Sequence, residues 1–145
     1  MARRVFFSFH YQNDVWRANQ IRNTHIVDGT AAAGFQDASL WEETKKKGDA
    51  AIKSLIDKGL QGTTVTVVLI GSETANRKYV RYEIEQSVAR GNGLLGIYIH
   101  TLKDKDGKTC SQGAIPPALI ATGAPVYYWD RDTFGDLVEM AAKKS

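Results

Sequence analysis

Residues 63–70 read Thr-Thr-Val-Thr-Val-Val-Leu-Ile, and the fold turns on this stretch. Its first half alternates polar and apolar residues, while Val67 to Ile70 is continuously apolar. A strand of that kind is covered on both faces, which is the situation of a central strand in a parallel sheet. Gly71-Ser72-Glu73-Thr74 ends it as a loop. Beyond the loop, Val80, Ile84 and Val88 recur at i, i+4 and i+8, which predicts a helix from Arg77 to Arg90. Gly91-Asn92-Gly93 terminates that helix, and Leu94 to Ile99 follows as another strand.

The same alternation extends toward both ends of the chain. Arg4 to Phe9 is a buried strand rich in Val and Phe; His10-Tyr11-Gln12-Asn13 breaks it, and Asp14 caps a helix through about Asn23. Val15, Ala18 and Ile21 form the inner side of that helix. Gly29 and Gly34 mark turns, and Phe35 to Ser39 is predicted to be a short second strand. Ala51, Ile52, Leu55 and Ile56 make one stripe on a helix from Lys46 to Lys58, with Gly59 as its left-handed stop. Residues 101–124 form a long connection, polar and then proline-bearing, with a turn at Asp106-Gly107. Val126 to Trp129 is a last strand, and Asp132 caps a final helix burying Phe134, Leu137, Val138 and Ala141. Strands alternating with helices imply right-handed crossovers and a doubly wound parallel α/β sheet flanked by helices. Its working surface lies at the carboxyl ends of the strands: Ser8 to Tyr11, Asp37 to Trp41, Ser72 to Asn76, and His100. The order of the strands stays open at this level.

A chain of 145 residues is the size of one domain, taken here as residues 1–145. No apolar run approaches the roughly 20 residues of a membrane span, so no membrane partner is expected. The net charge of +3 comes from scattered basic residues. The densest run, Lys45-Lys46-Lys47, reads equally as a solvated helix start or as a binding patch, and no nucleic-acid partner is expected. The single Cys110 excludes an internal disulfide and a cysteine metal cluster; a cytoplasmic protein without a metal site is expected. Missing residues exclude further classes. The loop after the first strand holds no glycine, so neither a Gly-x-Gly-x-x-Gly dinucleotide site nor a P-loop starts there. Acidic residues at the ends of the first and third strands, which a phosphate-receiving regulator needs, are replaced by Ser8-Phe9-His10 and Gly71-Ser72. The chain has no Gly-x-Ser-x-Gly elbow, and Asp104-Lys105-Asp106-Gly107 is a surface turn, not a calcium loop.

Two segments carry a family likeness. Val5-Phe6-Phe7-Ser8-Phe9-His10 resembles the first box of TIR domains, a hydrophobic strand ending in Ser and an aromatic. Tyr79-Val80-Arg81-Tyr82-Glu83 resembles their Trp-Cys-x-x-Glu box, with Tyr79 in place of the usual Trp. Arg4 to Tyr11, Asp37 to Glu42, Val68 to Ser72, Tyr79 to Ile84 and Gly91-Asn92 together resemble the TIR-like B proteins of Thoeris anti-phage defence systems. That resemblance runs from about Ala2 to Asp104. It implies a flavodoxin-like fold and an enzyme that takes NAD as substrate, needs no further cofactor, and releases nicotinamide. It further implies a cyclic ADP-ribose product that diffuses to a separate effector, and self-association of the enzyme.

On the predicted helix, residues advance about 100° each, so Glu83 and Glu85 flank the Ile84 stripe symmetrically and periodicity cannot choose between them. The resemblance selects Glu83 as the catalytic carboxylate. Ser8, Phe9, His10 and Tyr11 are substrate-contact candidates because they follow the first strand, with Phe9 or Tyr11 able to stack on nicotinamide or adenine. Asp37 and Trp41 are candidates from the second loop, and Ser72 is a phosphate-binding candidate through its hydroxyl and nearby amides. A non-catalytic TIR-like interaction module and a nucleotide sensor without turnover are the alternative readings.

Overall fold

The computed structural model describes residues 3–32 and 39–144. Its central strand β3 (Val65–Ile70) is buried at every residue. β3 pairs in parallel with β1 (Arg4–Ser8) on one side and with β4 (Gly93–Tyr98) on the other. β2 (Asp28–Thr30) and β5 (Val126–Tyr128) complete a five-stranded parallel sheet of order β2-β1-β3-β4-β5. Successive side chains of a strand point to opposite faces, and the core follows that rule. Val68 and Ile70 pack with Val80, Ile84 and Leu119, whereas Val65, Val67 and Leu69 join a larger cluster that includes Ala18, Ile21, Phe134 and Val138. The order reverses between β1 and β3, and the crevice of such a sheet opens at that reversal.

The helices are α1 (Tyr11–Arg22), α2 (Ser39–Lys46), α3 (Asp49–Leu60), α4 (Lys78–Arg90), α5 (Pro117–Thr122) and α6 (Arg131–Lys143). Several boundaries differ from the sequence expectation, each for a local reason. The second strand is Asp28–Thr30; of the stretch 35–39, residues 35–38 lie outside the described residues and Ser39 opens α2. The single helix expected from Lys46 is two helices broken at Lys47-Gly48, so the lysine run ends α2. There it complements the negative end of the helix dipole. Gly59 sits inside α3, against the Phe6 ring, and the left-handed backbone falls at Gly62 (φ 79°). Val88 is 52% exposed and Ser87 is buried in its stead, because α4 turns its 80-83-84-87 face to the sheet. β4 begins at Gly93, one residue early. α5 lies unforeseen within the 101–124 connection, since six residues are too few for a periodic signal. The cap of α6 is Asp130, whose side chain accepts from the Asp132 amide.

Asp14 is likewise no cap. It lies within α1, buried, and its Oδ1 accepts from Arg17 Nη1 at 2.8 Å. Burial raises its pKa above the ordinary value, against the lowering pull of Arg17. Arg17, 3% exposed, donates from Nε to the Leu102 carbonyl and from Nη2 to the Lys108 carbonyl, both at 2.8 Å. The loop after β4 is thereby tied to α1.

A Cβ on Gly93 would stand 2.1 Å from the Ala141 carbonyl oxygen of α6. Backbone cannot yield as a flexible side chain does, so Gly93→Ala forces α6 off the sheet. The expected loss is about 1–3 kcal/mol, read as a lower urea midpoint at unchanged m-value.

Candidate active site

α4 carries Glu83 to the carboxyl end of the sheet. Its buried residues, Val80, Glu83, Ile84 and Ser87, follow the i, i+3, i+4, i+7 spacing of one helical face. A carboxylate on that face is out of place unless something holds it. Ser8, the last residue of β1, donates from Oγ to Glu83 Oε1 at 2.6 Å. Glu85, equivalent by periodicity, is exposed and accepts from Arg81 one turn earlier.

The register of α4 is held by buried hydroxyls. Ser87 Oγ donates to the Glu83 carbonyl at 2.7 Å and lies 2.6 Å from Thr66 Oγ1 on β3. One hydroxyl proton serves one acceptor, so Thr66 donates to Ser87. Asn92 Nδ2 in turn donates to Thr66 Oγ1 at 3.2 Å and to Thr63 Oγ1 at 3.0 Å. This chain of donors runs from the end of α4 to the backbone of Glu83.

Glu83 is 2% exposed. Burial disfavours its charged form and pushes the pKa up to about 8, with the Ser8 hydrogen bond pulling the other way. The carboxyl borders a cleft of about 210 Å3. Phe9, His10, Tyr11, Trp41, Tyr79, Lys45, Arg77 and Lys78 also line this space. One wall is aromatic. Phe9 stacks on Tyr11 at 4.5 Å, Tyr11 on Trp41 at 4.8 Å, and Trp41 meets Tyr79 edge-on at 5.5 Å. Tyr79 is braced from behind, its hydroxyl donating to Asp49 Oδ1 at 2.8 Å. His10 Nδ1 is buried without a hydrogen-bond partner. Burial, then the positive charges of Arg77 and Lys45, push the His10 pKa below its ordinary value, so its ring is neutral at pH 7.

The structure therefore brings Phe9, His10, Tyr11, Trp41 and Glu83 to one cleft, and seats Ser8, wholly buried, beneath Glu83. Ser8 is not among the lining residues, and it reaches the cleft through the carboxylate. Tyr11, stacked with both Phe9 and Trp41, has little ring face left for a ligand. Ser72 lines a neighbouring cleft with Arg17, Asp104 and Lys108, and α4 starts six residues after it. Asp37 lies outside the described residues. The cations Lys45, Arg77 and Lys78 were absent from the sequence candidates. A signal for two of them exists: Arg77-Lys78 opens a helix with no acid in its first turn, against the preference set by the helix dipole.

The model of the family described as "Thoeris protein ThsB, TIR-like domain" matches residues 6–104, a span that holds Ser8, the aromatic wall and Glu83. The chain belongs to the TIR-like ThsB family. A ThsB relative from Bacillus cereus (strain MSX-D12), named "Putative cyclic ADP-D-ribose synthase ThsB1", is 52% identical over 118 residues. The alignment covers 80% of this chain and 62% of the relative, so the chain spans about three-fifths of that protein's length. α5, β5 and α6 fall outside the family match. No helix among the described residues is long and apolar enough to cross a membrane.

Because the folded-state pKa of Glu83 is raised from 4.5 to about 8, folded protein keeps a proton that unfolded chain gives up. Stability attributable to this group is full below pH 4.5 and falls as pH rises through 8. Glu83→Gln, neutral at every pH and nearly isosteric, removes that fall. At pH 8 its Tm is expected to exceed the wild-type value by at least about 2 °C, with the two curves converging toward pH 5 in a thermal melt series.

Proposed function

We propose that the protein cleaves NAD at the bond between ribose and nicotinamide, with Glu83 as the anion beside the sugar. The observation that carries this reading is the desolvated carboxyl of Glu83, held by Ser8 at the border of an aromatic-walled cleft. Breaking the bond builds positive charge on the ribose, as in glycoside cleavage. The leaving base is cationic in NAD and departs neutral, so no general acid is required. A fixed carboxylate in a dry site then stabilises the oxocarbenium-like state more strongly than one in water. The neutral His10 adds no competing positive charge to that centre.

Resting Glu83 holds a proton at neutral pH. A pyridinium cation in the cleft favours the ionised carboxylate, so NAD binding releases that proton. Water capture of the cleaved sugar gives ADP-ribose; capture by a hydroxyl or ring nitrogen of the same molecule gives a cyclic isomer. The name of the Bacillus cereus relative supports the cyclic outcome. The product acts as a diffusible signal to a separate effector in anti-phage defence, and the reaction runs in the cytoplasm, where NAD is abundant. Self-association of the protein accompanies activity.

The test is incubation with NAD followed by chromatography and mass measurement of the products. Wild-type protein is expected to yield nicotinamide and a cyclic ADP-ribose. Glu83→Gln is expected to be slower by at least about 10²–10³-fold. Wild-type kcat/KM rises about tenfold per pH unit below the Glu83 pKa and levels above pH 8, as the carboxylate form fills. Tight NAD binding without nicotinamide release would make the protein a sensor. Self-association with neither binding nor turnover would make it an interaction module.

A further inference from the structure

The charges around the Glu83 cleft are unbalanced. Lys45 from the end of α2, with Arg77 and Lys78 from the start of α4, line it, and Glu83 is the one carboxylate among its described lining residues. The three cations differ in how well they are matched. Lys78 Nζ sits 2.8 Å from Asp49 Oδ1 and is neutralised there. Lys45 Nζ lies 3.9 Å from Glu42 Oε1, an oxygen that already accepts from Gln12 Nε2 at 2.8 Å. Arg77 donates from Nε to the Glu73 carbonyl at 3.2 Å, and its Nη2 is 3.6 Å from Glu73 Oε1. The other carboxylate oxygen of Glu73 is taken by Asn13. Lys45 and Arg77 are thus two loosely matched cations from different helices on the rim of one cleft. Both lower the pKa of His10, which places their fields on the same ring.

The size of the cleft sharpens the point. Pockets that enclose a drug-sized ligand measure roughly 300–1,000 Å3. At about 210 Å3 this cleft is smaller than that, so a dinucleotide with its reacting ribose beside Glu83 extends beyond it. Whatever follows the ribose must cross the rim.

We propose that Lys45 and Arg77 grip the diphosphate of the substrate as it leaves the cleft. This rests on the reading of the cleft as an NAD-cleaving site. A guanidinium matches two phosphate oxygens at once, and an ammonium supplies a point charge. Displacing the long contacts to Glu42 and Glu73 loses little, because exposed ion pairs of that kind are weak.

Binding and turnover are measured separately. Calorimetry with ADP-ribose compares wild type, Lys45→Gln, Arg77→Gln, the double variant and Arg81→Gln, which removes the same charge one turn further along α4 and outside the cleft. Each rim substitution is expected to weaken ADP-ribose roughly tenfold and the pair about a hundredfold, with a flatter salt dependence. Arg81→Gln should change affinity less than about twofold. Nicotinamide, which carries no phosphate, should inhibit NAD turnover with the same constant in every variant. Wild-type indifference to ADP-ribose, equal affinity in the double variant, or matched losses for nicotinamide and ADP-ribose would overturn the proposal. Rim-dependent ADP-ribose binding without any NAD turnover would leave the grip standing and remove the catalytic reading instead.

Discussion

A single buried hydrogen bond, from Ser8 to Glu83, joins the end of β1 to the inward face of α4. The site depends on it. Glu83 occupies a helical position whose neighbours, Val80 and Ile84, are core residues, and an ionisable group there is costly without a partner. The serine satisfies one carboxyl oxygen and leaves the charge poorly solvated, so the group is held in place without being made comfortable. The reversal of strand order between β1 and β3 makes this meeting possible, since it opens the crevice into which both elements point.

The surroundings divide into an apolar wall and a charged rim. Phe9 with Tyr11, Trp41 and Tyr79 come from three parts of the chain, yet their rings run in one continuous series of stacked and edge contacts. They present aromatic surface to the cleft that Glu83 borders. Asp49 secures the outer member of the series through the Tyr79 hydroxyl and is itself held well below the usual carboxylate range by Lys78, Tyr79 and Lys53. One acidic residue on the surface of α3 therefore steadies a ring and quenches one of the three cations nearby.

The parallel α/β architecture was legible because Val67 to Ile70 is apolar without interruption and because helical periodicity follows it. Strand order was not legible: β2 is three residues long, and pairing between distant segments leaves no local trace. Glu83 could be separated from Glu85 only by family resemblance, since both lie at the same angle from Ile84. The structure distinguishes them physically, by the rotation that buries Ser87 and exposes Val88. Lys45 was passed over as a site residue because the run Lys45-Lys46-Lys47 read equally well as a solvated helix start. Asp14 looked like a cap and is a buried ion-pair member, a tertiary role that adjacent residues do not announce.

The bonds of Arg17 span much of the chain. Its acceptors on Leu102 and Lys108 lie 85 and 91 residues downstream. During synthesis from the N-terminus, α1 must wait with a solvated guanidinium until the ribosome has delivered β3, α4 and β4. Only then does the arginine enter the interior, accompanied by the carbonyls that make burial tolerable. Sealing of this side of the molecule is consequently a late event in biogenesis, and a nascent chain halted before residue 102 would display a cation that the finished protein conceals.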